Sequence, residues 1–141
     1  MALHGAYVDH LRGIHLFQGF ARRDLEKIAR VSEVVDMPAG TVLTEEGSPG
    51  HEAYVLLEGE VIIKRNGRKV SELSQGSILG ELSLLDKGPR TATAICETDC
   101  RLLLLTQPTF LGVVDQVPAL SQKLLASLAG RIRDLDRQTY G

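Results

Sequence analysis

The chain has 141 residues, 43% of them apolar, and a formal net charge of -2 from 16 Lys and Arg against 18 Asp and Glu. That length suits one hydrophobic core rather than two, and dispersed basic residues leave no patch for direct contact with nucleic acid or an anionic membrane surface. No apolar run approaches twenty residues, and the first residues lack a signal peptide's basic start and apolar centre, so the chain reads as soluble and cytoplasmic.

The chain divides into three zones within one domain, residues 1–141. In residues 7–30, Leu11, Ile14, Leu16, Phe17, Phe20, Leu25 and Ile28 fit short helices interrupted near Gly19. The second helix would start near Ala21. Alanine caps poorly, although Asp24 and Glu26 in the first turn complement the helix dipole. From 31 to 106 the pattern changes to short β-rich runs punctuated by glycines at 40, 47, 50, 59, 67, 76, 80 and 88. Strands are expected at Val34-Val35, Thr41 to Leu43, Tyr54 to Leu57, Val61 to Lys64, Lys69 to Leu73, Thr91 to Cys96 and Leu102 to Leu105, with a two-residue hairpin turn at Asn66-Gly67. About eight such strands argue for a mainly β fold, an eight-stranded β-roll of jelly-roll type with flanking helices. Cys96 and Cys100 bracket a tight turn, which would set two inert thiols facing each other across a hairpin. In 107–137 helices return. Pro108 and Pro118 suit helix starts, and Leu120, Leu124, Leu125, Leu128, Ile132 and Leu135 form one apolar stripe on the second of them.

Chemistry concentrates in Gly80 to Ala94, GELSLLDKGPRTATA. Arg90 offers a planar, permanently charged fork for a phosphate, with the Thr91 hydroxyl beside it. Glu81 would repel a phosphate, but its carboxylate accepts hydrogen bonds and suits a pair of ribose hydroxyls. Gly80 permits close backbone approach, and the run after it is long enough for one or two helical turns whose first N–H groups favour an anion. The Ser83 amide would also lie within reach. A structural alternative is that Arg90 and Glu81 pair with each other in a domain that binds nothing.

This segment resembles the phosphate-binding cassette of cyclic nucleotide-binding domains, the family of bacterial catabolite activators, kinase regulatory subunits and gated channels. The family pattern, roughly F-G-E, eight residues, R-[AST]-A-T, falls on Leu79, Gly80, Glu81, Arg90, Thr91, Ala92 and Thr93, with Leu79 replacing the usual phenylalanine. Upstream, Gly47, Gly50, Tyr54 and Gly59 occupy the family's glycine-punctuated hairpin, and the likeness runs from about Leu11 to Arg133.

The resemblance implies a β-roll with N-terminal helices, a short cassette helix and C-terminal lid helices. It implies a ligand site of Leu79, Gly80, Glu81, Leu82, Ser83, Arg90, Thr91 and Ala92, Leu82 and Ala92 entering on the resemblance alone. Leu124, Leu128 and Arg131 would belong to a lid that folds over the purine and can pair with a second copy of the chain. The ligand would be cAMP, or cGMP, which threonine at position 91 favours in some relatives. No cofactor beyond that ligand, no metal and no catalytic residue is expected. A metal enzyme on a similar roll would need converging histidines, and the strand region holds only His51. Nor does the stretch after Arg137 supply a DNA-reading helix-turn-helix. The effector is not readable. The competing reading is a protein-interaction module that uses the helical stripe without any nucleotide.

Overall fold

The computed structural model describes the backbone of residues 2–140 and the side chains of 7–139. Helix α1 (Ala2–Arg12), a single 3-10 turn (His15–Phe17) and α2 (Arg22–Val31) precede eight strands; α3 (Gln107–Gln116) and α4 (Ala119–Tyr140) follow them. The weak cap at Ala21 is repaired from inside the helix, where Asp24 Oδ2 accepts the Ala21 N–H at 3.0 Å. Pro108 is the second residue of α3, and Pro118 stands just before α4, one step earlier than a first helical position.

The strands are β1 (Glu33–Met37), β2 (Val42–Thr44), β3 (Glu52–Glu58), β4 (Val61–Arg65), β5 (Arg68–Leu73), β6 (Ile78–Leu79), β7 (Thr93–Cys96) and β8 (Cys100–Thr106). They form two four-stranded antiparallel sheets, ordered β1-β8-β3-β6 and β2-β7-β4-β5. The expected eight-stranded roll is therefore present. β6, two residues paired with Tyr54 and Val55, falls below what periodicity can signal, and the strand expected from Thr91 starts at Thr93.

β3 explains how the layers join. All of Ala53 to Leu57 is buried, and alternate side chains serve different cores. Ala53, Val55 and Leu57 meet the helices together with Leu103 and Leu105 of β8, whereas Tyr54 and Leu56 face into the roll with Val61, Leu79, Ala94 and Leu102. An uninterrupted apolar run thus marks a strand covered on both faces.

Two expectations need correction. The residues between Cys96 and Cys100 do not close a hairpin, because β7 and β8 belong to different sheets and the turn carries the chain from one to the other. The stripe of α4 also divides. Leu120 and Leu124 are buried in the helical core and Leu128 packs against it, while Leu125, Ile132 and Leu135 are exposed.

Candidate functional site

One cleft of about 590 Å³ gathers the cassette. Leu79, Gly80, Glu81, Leu82, Ser83, Arg90, Thr91 and Ala92 all line it, and Arg131 reaches it from α4. Leu124 and Leu128 do not. Those two leucines pack on the helical block, where Ser127 Oγ also donates to the His15 carbonyl at 3.2 Å.

Arg90 is placed by backbone bonds at its own position. Its N–H donates to Ser48 O at 2.7 Å and its carbonyl accepts from Gly47 at 2.9 Å, so the glycine-rich loop before β3 clamps the end of the cassette. The guanidinium is buried. Its Nη1 donates to Glu52 O at 2.8 Å and to Ser83 Oγ at 3.1 Å, while Nη2 lies 3.5 Å from Glu52 Oε1. Gly80 adopts φ +76°, and a Cβ there would collide with Arg90 Nη1 and stand 2.9 Å from Glu52 O. At Gly50 a Cβ would collide with Ser83 Oγ and lie 2.9 Å from Arg90 Nε. Both glycines therefore make room for one arginine.

The cassette helix is at the short end of the expected one or two turns, a single 3-10 turn from Glu81 to Leu84. Within it the Ser83 amide bonds to Gly80 O at 2.9 Å, so Ser83 contributes its hydroxyl to Arg90 and not a free N–H to a ligand. Nor do Glu81 and Arg90 pair with each other. Glu81 Oε1 accepts from Arg131 Nη2, and Glu81 Oε2 is buried with no hydrogen-bond partner among the described residues. A buried carboxylate oxygen left unbonded is costly, and a ligand hydroxyl would satisfy it.

The opposite wall comes from the second sheet. Thr44, Ile63, Leu73 and Ala94 give it an apolar surface, with Arg65 at its rim. Two side chains tie this wall to the cassette: Thr44 Oγ1 donates to Ala92 O at 3.0 Å and Arg65 Nε to Thr91 O at 3.0 Å. These residues were not singled out from the sequence. The alternation Val61, Ile63, Arg65 along β4 could have placed Arg65 on the inner face; nothing local marks Glu52 as the partner of Arg90. In sum, the cleft presents a guanidinium edge, a carboxylate with a spare acceptor and an apolar wall.

A profile of the cyclic nucleotide-binding domain family matches residues 34–117. The chain belongs to this family. It is 31% identical over 123 residues to a CRP-like cAMP-activated global transcriptional regulator of Mycobacterium tuberculosis, covering 84% of this chain and 55% of that protein. It is 30% identical over 119 residues to a cAMP-dependent protein kinase regulatory subunit of Colletotrichum orbiculare, covering 83% of this chain and 30% of the subunit. Among solved structures, the N-terminal domain of a transcriptional regulator from Streptomyces coelicolor A3(2) superposes with a TM-score of 0.83 at 31% identity, over 92% of this chain and 96% of that one. The cyclic nucleotide-binding domain thus spans about half or less of the two full-length regulators it matches.

Proposed function

We propose that this domain is a regulatory sensor with no catalytic step of its own, binding a cyclic purine nucleotide, cAMP ahead of cGMP, and reporting occupancy through α4. The carrying observation is one cleft in which a buried guanidinium and a carboxylate with an unsatisfied oxygen divide the polar work. Arg90 takes the cyclic phosphate, Glu81 the ribose hydroxyl, and the wall of Ile63, Leu73 and Ala94 the base. Both full-length relatives described above are cAMP-responsive by name, which favours adenine.

Arg131 supplies the output. It holds the carboxylate that a ribose hydroxyl would engage, so ligand and α4 meet at Glu81. The first half of α4 stays anchored by Leu120, Leu124 and Ser127, and the part beyond Arg131 changes position. The exposed Ile132 and Leu135 on that part would then engage a second copy or an effector.

Isothermal titration with cAMP and cGMP tests the reading. Wild-type protein is expected to bind both, cAMP more tightly. Arg90→Ala should lose about 1.5–3 kcal/mol, on the order of ten- to a hundredfold, as a charge-assisted contact is removed. No heat from either nucleotide would leave the interaction-module reading in place; wild-type affinity in Arg90→Ala would remove the phosphate role.

A further inference from the structure

We propose that Glu52 makes the phosphate subsite a filter for single negative charge, so that the cleft accepts a phosphodiester and rejects a dianionic phosphate monoester. The inference rests on the reading that a nucleotide phosphate docks on Arg90. Glu52 itself does not line the ligand cleft; it stands on the other side of Arg90, in a shallow depression shared with Leu43, Ser48, Pro49 and the exposed Glu45. It is a positioning residue.

The Arg90 side chain is only 6% exposed, so water does little to neutralise its charge and Glu52 is its standing counter-charge. Its Nη1 spends both protons on Glu52 O and Ser83 Oγ. The Nε–Nη2 edge remains for a ligand. The Tyr54 hydroxyl donates to Glu52 Oε1 at 3.3 Å and fixes the carboxylate; burial, then the neighbouring Glu52 charge, push that phenol up to about 12, which keeps it a donor.

Charge over the whole site follows the same rule. The cleft is lined by three cations, Arg65, Arg90 and Arg131, and by the anions Glu81 and Asp86; Glu52 behind Arg90 makes three against three. A cyclic phosphodiester adds one negative charge to a balanced site. A terminal monoester carries about −1.5 to −2 at pH 7; its attraction to Arg90 grows with that charge, but so do its repulsion from Glu52, Glu81 and Asp86 and its cost of leaving water, and a site without net positive charge leaves that cost uncompensated. Shape is therefore not the sole basis for refusing linear nucleotides.

Titration calorimetry on the full chain, with thermal melts to confirm folding, decides the matter using three adenine ligands. These are cAMP, 5′-AMP, and the methyl ester of 5′-AMP, which is linear yet singly charged. In the wild type the ester is expected to bind about tenfold more tightly than 5′-AMP, and in Glu52→Gln the 5′-AMP affinity should rise until that gap closes. Equal binding of the two linear ligands by wild type, measurable or not, overturns the filter, as does a gap that survives Glu52→Gln. Should Glu52→Gln fail to fold, the same closing of the gap is read in Glu52→Ala, and equal binding by the wild type still overturns the filter. Absence of cAMP binding would overturn the nucleotide reading, and the filter with it.

Discussion

Arg90 owes its position to residues that never contact one another in sequence: two glycines that leave space, Ser83 that accepts one N–H, and Glu52 that accepts another. Gly80 is the tightest of these constraints because it combines φ +76° with a Cβ direction aimed at Nη1. Gly80→Ala would impose left-handed strain of about 1–2 kcal/mol and push the guanidinium aside. We expect a melting temperature lower by about 4–8 °C together with weakened cAMP binding, read by calorimetry on the same preparation. An unchanged melt and unchanged affinity would mean that the loop relaxes around the methyl group. Gly47, also at positive φ, meets nothing within 4 Å, so there the conformation alone is demanding.

Among the elements, the strands with continuous apolar runs were the most legible, because double-sided burial leaves its mark in Ala53 to Leu57 of β3 and in most of β8. β6 was hidden by its length of two residues, and its partner strand, not its own composition, creates it. The turn from Cys96 to Cys100 misled for a different reason: alternation reports which face a side chain takes, never whether consecutive strands share a sheet. The site shows the same division. The cassette residues are contiguous enough to be read as a motif, whereas Glu52, Thr44 and Arg65 arrive from distant strands and only the fold makes them neighbours. Inertness of the thiols was expected, and the structure supplies a physical cause. Burial, followed by the hydrogen bond and charge of Cys100, pushes the Cys96 thiol up to about 12. Since the raised value keeps the thiol protonated below it, native protein at pH 8 should react with a thiolate-seeking disulfide reagent at Cys96 far more slowly than protein in denaturant. Equal rates in the two states would contradict that protection.

At the scale of the molecule, α4 is the member that belongs to two neighbourhoods. Its first half is fixed to the helical block by Leu120, Leu124, Ser127 and the contact of the half-buried Lys123 with the buried Asp24 at 3.7 Å, and among the described residues of α4 Arg131 carries it to the cleft. Trypsin offers a direct view of this arrangement. With cAMP, cleavage at Arg131, Arg133 and Arg137 should change in rate while Lys123 stays protected, and Arg131→Ala should alter the nucleotide-free pattern at the same sites. Identical digestion with and without ligand would count against a moving helix. The two-sided burial of β3 and β8 has its own consequence for how the chain could be cut down or rearranged. The helices are the outer half of a party wall: take them away and Ala53, Val55, Leu57, Leu103 and Leu105 face water together, a greasy surface that no isolated barrel could leave bare without clumping.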